Sequence, residues 1–385
     1  MKTILKSIIA WSMVATLACK GNTQDERLAM TEPLVVAPVA PQATIQIALL
    51  LDTSNSMDGL IQQAKTQLWN LVNKMSYAHC NEQQALIEIA LYEYGNSTLK
   101  SEEGYIKQIA PFTTDLDLIG KELFALDTQG GDEYCGMVIG HAANHLEWRT
   151  GNQDLKMIFI AGNESFLQGN FSVNEAMGLA AQKDITVNTI FCGDLQTGIS
   201  LKWKNGADLG KGAYTVIDQN QQTQYVATPY DDEILEYNTK LNQTYIAYGR
   251  EGKDKLERQA SNDMELEKIS LSANVERSVV KSKAVYNNAS WDLIDAAKDE
   301  KELETIIKKN KSTLPAELEE KSVAEIVTYA KEKKKEREEI QARILSLNTK
   351  REAFIKQESK GDNELESAME QAIRKKAATK NYTWK

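Results

Sequence analysis

From residue 44 onward, apolar runs of strand length alternate with segments whose apolar residues recur at helical spacing. "TIQIALLLD", residues 44–52, is apolar almost without break until Asp52 and reads as a strand buried on both faces. "LIQQAKTQLWNLVNKM" follows, with Leu60, Ile61, Ala64, Leu68, Leu71 and Val72 spaced along one helical face. "ALIEIALYEYGN" and "GYIKQIAPF" read as strands joined by a short connection, which predicts an antiparallel edge pair. "DLDLIGKELFAL", N-capped by Asp115, and "CGMVIGHAANHLEW" read as helices. "LKMIFIAGN" is a strand, "VNEAMGLAAQKD" a helix and "ITVNTIFCGD" a strand, and "GAYTVI" is expected to close the sheet. The order predicts a doubly wound α/β domain over residues 44–225, with a mostly parallel sheet and one antiparallel edge strand.

Residues 226–385 have a different texture. Long charged segments with few glycines or prolines predict a helical region, either partly coiled coil or a helical bundle. Ile340, Ile344, Leu347 and Phe354 or Ile355 form one apolar stripe along it. Tyr230, Tyr245, Tyr248, Tyr286 and Trp291 are expected to make the seam between this region and the α/β domain.

The N-terminal pattern belongs to neither. "MKTILKSIIAWSMVATLAC" places Lys2 and Lys6 before a short apolar stretch and small residues, the layout of an export signal over residues 1–19. "TLAC" resembles a bacterial lipoprotein box, which makes Cys19 the expected lipidation site; an ordinary signal peptide that contains a cysteine is the alternative. Residues 20–43 hold three of the six prolines (Pro33, Pro38 and Pro41) and read as a disordered tether. The expected location is therefore the cell envelope, lipid-anchored and facing the periplasm or the surface.

Composition narrows the function. A net charge of −10 argues against a broad nucleic-acid footprint and suits a protein that attracts cations. No nucleophile elbow appears. "NGADLGKGAY" lacks the spacing before Lys211, and the following Ser or Thr, of a phosphate loop. His141 and His145 stand four apart, but Ala142 follows the first where a zinc protease needs Glu, so both read as helix-surface residues. No catalytic machinery is expected.

What remains is the stretch "LDTSNSMDG". Asp52, Ser54 and Ser56 spell D-x-S-x-S at a strand end, just before a helix. Ligands on alternate residues of a tight loop put three oxygens on one side of a small hard cation such as Mg²⁺, with Ca²⁺ or Mn²⁺ as other choices. The same residues could also form a plain turn that caps the helix. The motif resembles the metal-ion-dependent adhesion site of von Willebrand factor type A domains. "LYEYGN", "GGDEYCG", "AGNESFLQGNF", "VNTIFCGD", "TYIAYG" and "WDLIDA" resemble a subgroup of bacterial members of that family with a helical tail. The resemblance implies two further ligand loops. In the first, Gly130 and Gly131 are followed by Asp132 and Glu133, where the family carries Thr. In the second, Gly162 stands where the family carries Asp, followed by Asn163 and Glu164. The implied ligand set is Asp52, Ser54, Ser56 and Asp132, with Glu133, Asn163 and Glu164 in support, so that two carboxylates balance one divalent ion. The implied partner is a protein that offers a carboxylate to the ion. An envelope scaffold that acts through its helices, with a degenerate metal site, is the alternative. Cys135 and Cys192 are both expected on the ligand side of the sheet, where a bridge would brace the metal loop, or else as two buried thiols that never meet; Cys80 is expected to be free.

Overall fold

A computed structural model describes residues 42–218, 226–358 and 364–384; the export signal, Cys19 and residues 20–41 of the expected tether lie outside them. The chain enters the sheet at β1 (Thr44–Asp52), all nine residues of which are buried. It continues through α1 (Asp58–Met75), the short strands β2 (Ala78–Cys80) and β3 (Gln83–Gln84), β4 (Leu86–Tyr94) and β5 (Ile106–Thr113). Next come α2 (Leu116–Phe124), α3 (Cys135–His145), β6 (Leu155–Gly162), α4 (Val173–Gln182) and β7 (Thr186–Cys192). Two short helices, α5 (Leu195–Ser200) and α6 (Trp203–Leu209), lead into β8 (Lys211–Ile217).

The main sheet has six strands in the order β5-β4-β1-β6-β7-β8. All neighbouring pairs are parallel except β4 with β5, so the expected antiparallel edge is present. Parallel strands covered on both faces read as unbroken apolar runs, and β1, β6 and β7 are buried throughout. Asp115 caps α2 as expected, its carboxylate accepting from Leu118 N at 3.0 Å. The strand order reverses around β1, which places a crevice at the carboxyl ends of β1, β4 and β6.

The helical region comprises α7 (Asp231–Asn242), α8 (Gly252–Ile269), α9 (Leu271–Lys281), α10 (Leu293–Ala296), α11 (Glu300–Asn310), α12 (Ala316–Glu319), α13 (Val323–Glu358) and α14 (Glu364–Ala377). It packs onto the α/β fold: α9 and α14 lie on α1, and α8 lies on α2. One apolar core runs from Ile45, Leu49 and Leu51 of the sheet through Trp69 of α1 to Val279, Trp291, Ile344 and Ile373. A second core covers the opposite face of the sheet, between Leu50, Tyr92 and Tyr94 and the helices α3, α4 and α6. Ile340, Ile344 and Leu347 of α13 are buried as the stripe predicted, and α13 packs against α7, α9, α10 and α11 of the same chain. The bundle reading thus describes this helix. Tyr245, Tyr286 and Trp291 are buried at the seam. One feature had no local signal. β9 (Tyr382–Trp384) returns to pair antiparallel with β2 in a small three-stranded sheet. Among the described residues no helix is long and apolar enough to cross a membrane.

Candidate metal-binding site

Asp52 ends β1 fully buried, and the chain turns at once: Ser54 N donates to Asp52 Oδ1 at 2.7 Å. Asn55–Met57 then form a short 3₁₀ turn that feeds α1. This turn brings Ser54 Oγ to 3.2 Å from Ser56 Oγ, and Ser56 Oγ donates to Asn163 Oδ1 at 3.3 Å. Thr53 ties the loop to its neighbours. Its N–H donates to Tyr94 O at 2.9 Å, and its carbonyl accepts from Gln129 N at 2.9 Å.

The second loop departs from expectation by one residue. Asp132 is exposed and accepts a hydrogen bond from the Tyr134 hydroxyl at 3.1 Å. Its neighbour Glu133 is the carboxylate that turns inward, where it is 2% exposed and interacts with Asp52 and Ser54. Of the two adjacent acids, only Glu133 is buried. Gly95, at the end of β4, makes room for the pair. Its φ is +78°, and a Cβ there would lie 2.8 Å from Asp52 Oδ1 and 2.9 Å from Glu133 Cγ.

The third loop explains the missing aspartate. A Cβ on Gly162 would meet the Tyr94 hydroxyl at 2.6 Å and Asp52 Oδ2 at 3.1 Å. Tyr94 occupies that space and donates to Ala161 O at 2.9 Å. Gly162→Asp is therefore expected to destabilise the metal-free protein by about 1–3 kcal/mol through overpacking. Pairing it with Tyr94→Phe should recover part of the loss. Chemical denaturation of the two variants checks this, and a single variant as stable as the parent would contradict the close packing. Asn163 reaches Ser56, whereas the Glu164 side chain is exposed; Glu164 contributes its backbone, with N donating to Glu133 Oε2 at 3.3 Å and O accepting from Trp203 Nε1 at 2.7 Å.

Burial raises the Asp52 carboxyl well above the usual carboxylate range, and the hydrogen bond and charge of Glu133 add to this. Burial also raises Glu133. Asp52 Oδ2 is buried with no hydrogen-bond partner of ordinary geometry. Two adjacent buried carboxylates cost stability unless a proton or a cation lies between them. Among the described residues no three His, Cys, Asp or Glu side chains converge. A cation here would therefore rest on Asp52, Glu133 and the hydroxyls of Ser54 and Ser56. That all-oxygen set with two carboxylates fits a hard divalent ion.

The expected Cys135–Cys192 bridge does not form: both thiols, like that of Cys80, are free and buried. Cys192 faces the core shared with α1, and Cys135 faces the core under α3, so the sheet itself separates them. Cys135 instead lies 3.8 Å from the Tyr94 hydroxyl. His141 and His145 stack with ring centroids 4.0 Å apart on α3; His141 is half-buried, with Nδ1 3.3 Å from the Tyr92 hydroxyl of β4, and His145 is exposed.

Residues 46–203 match the family model described as the von Willebrand factor type A domain. No curated protein matches the chain. Among solved structures, the conserved hypothetical protein BatB from Bacteroides thetaiotaomicron is similar at 17% identity and TM-score 0.35, over 45% of this chain and 90% of that one. An aerotolerance-related membrane protein from Bacteroides fragilis is similar at 16% identity and TM-score 0.31, over 45% and 92%. Proximal thread matrix protein 1 from the mussel byssus, in a form with a zinc-occupied MIDAS motif, is similar at 12% identity and TM-score 0.34, over 47% and 43%. On the strength of the family match, the six-stranded order and the Asp52 loop, residues 46–203 of this chain form a von Willebrand factor type A domain.

Proposed function

We propose that the protein is a membrane-tethered, metal-dependent protein-binding module of the bacterial cell envelope. The observation that carries this reading is a pair of buried carboxylates, Asp52 and Glu133, side by side with two serine hydroxyls at a rim that opens to solvent through Ser56 and Asn163. Asp52, Glu133, Ser54 and Ser56 would hold the ion, with Asn163 orienting Ser56. When bound, a divalent ion supplies an electrophilic point that accepts a carboxylate from a partner protein. Mg²⁺ is the first choice for an all-oxygen donor set, ahead of Ca²⁺ or Mn²⁺. The protein residues supply orientation: the Ser54 N–H fixes one oxygen of Asp52, and the Glu164 N–H fixes one oxygen of Glu133.

The scaffold alternative draws less support. The apolar stripe of α13 is buried within the chain, which leaves that face committed to the bundle. Crosslinking capture of envelope partners by the full chain tests the reading. With Mg²⁺ present, the same partner band should be retained by the parent, and EDTA or Asp52→Ala should each lower it about tenfold or more. Equal capture in all three conditions would remove the metal from the mechanism and return the scaffold reading.

A further inference from the structure

At the end of the sheet opposite the Asp52 rim lies an open cavity of about 220 Å³ between the starts of β7 and β8 and helix α14. Thr186, Asn188, Lys211, Lys375, Lys376 and Thr379 line it, and no acidic residue does. Asn188 is fully used in holding the fold, with Nδ2 donating to Ile158 O and Oδ1 accepting from Ala213 N. Lys211 and Lys375 have no ion-pair partner among the described residues. Lys376 leans on Asp184 at 3.1 Å, but Asp184 is shared with Lys380 at 2.8 Å. Buried Lys156 feels the same Asp184 and the neighbouring Asp154. Among the described residues, two of the three lysines on the wall thus have no acid partner, in a chain whose net charge is −10. Lys211 also holds a left-handed φ of +55°, where glycine or asparagine is the usual occupant.

We propose that this cavity binds a phosphate group. Three lysine side chains and the Thr186 hydroxyl along an acid-free wall match a compact oxyanion. β1 starts at the same end of the sheet, at Thr44, so the expected tether enters the domain here. A lipid headgroup seated in the cavity would then hold this end toward the membrane and turn the metal rim away from it. A free phosphate or a soluble phosphate ester has the same chemistry, and the experiment separates the sources. The cavity shares no residue with the metal site.

The test uses the full chain with Cys19→Ser, so that no acyl chain contributes. Calorimetric titration with inorganic phosphate in EDTA should show one site, weakened about tenfold or more in the pair Lys211→Gly and Lys375→Gln. Glycine suits the φ of Lys211, and Lys375 lies on an exposed helix face, so both changes leave the fold intact. Thr186→Val gives a second, charge-neutral variant, expected to weaken phosphate severalfold. Flotation with vesicles of phosphatidylglycerol in phosphatidylcholine assigns the source. Binding that the lysine pair abolishes supports the headgroup. Phosphate titration without lysine-dependent flotation supports a soluble phosphate compound. Absence of phosphate binding at millimolar concentration, or equal affinity in parent and variants, overturns the proposal.

Discussion

Arg277→Ala is expected to lower the stability of the folded chain by about 3–5 kcal/mol, because it strips the counter-charge from two buried carboxylates at once. Arg277 lies on α9, is fully buried and ion-pairs with Asp117 of α2 at 2.6 Å and with Asp263 of α8 at 2.5 Å. Its guanidinium stacks 4.5 Å from the ring centroid of Trp69 on α1 and donates to Gln259 O at 3.0 Å. One side chain therefore joins the first helix of the α/β fold to three elements outside its central sheet. Lysine cannot replace it, since a single ammonium reaches neither both acids nor the ring face. Denaturation followed by both tryptophan fluorescence and far-ultraviolet circular dichroism should show one transition moved to lower denaturant. The surface pair Arg343–Glu233, at 2.6 Å but more than one-third exposed on both sides, sets the contrast: Arg343→Ala should cost under about 1 kcal/mol. The pH dependence has a definite sign. Burial opposes ionisation of Asp263, but Lys281 and Arg277 outweigh it and hold its carboxyl below the usual range. Its contribution is present above about pH 4, the unfolded carboxylate value, and is lost as the pH falls further, so the Arg277→Ala deficit should shrink in acid. A loss under 1 kcal/mol, or two separate transitions, would mean that the helices are an appendage.

That network also shows where the sequence stops being readable. A hydrophobic pattern finds β1 because a central parallel strand is apolar on both faces. It undercounts α9 and α13, whose inward faces carry Arg277, Lys281, Arg337 and Arg351, each buried only because an acid sits opposite. Those acids lie on other helices or loops, 14 residues away for Arg277 and Asp263 and 120 for Arg351 and Asp231, and no local window pairs them. The small sheet fails for the same reason, since Cys80 pairs with Tyr382 across nearly the whole chain. The cysteine expectation was correctable from sequence: along β7, Phe191 and Cys192 must point to opposite faces, and Phe191 packs on the side of α3. The choice between Asp132 and Glu133 was not. It depends on how an irregular loop lies against Gly95 and Asn96, where a Cβ on Gly131 would touch Gly95 O at 2.6 Å.

That one-residue difference yields the sharpest functional prediction. Glu133→Gln removes one of two buried carboxylates from the donor set while keeping its volume, so Mg²⁺ affinity of the full chain should fall at least about tenfold. Asp132→Asn touches a solvent-exposed side chain whose hydrogen-bonding partner is Tyr134, and affinity should stay within about twofold of the parent. Asp52→Asn should abolish binding, since Asp52 is the buried acid that the loop is built around. Calorimetric titration with MgCl₂, repeated with CaCl₂ and MnCl₂, gives all three values in one buffer. Phosphate must be absent from that buffer, so that the basic cavity at the other end of the sheet stays out of the signal. If Asp132→Asn loses the ion and Glu133→Gln keeps it, the loop must turn over on binding, and the inward acid seen beside Asp52 is a placeholder for its neighbour. If all three variants bind like the parent, the oxygens gathered at the rim hold no ion, and the domain must recognise its partner by shape and surface charge alone.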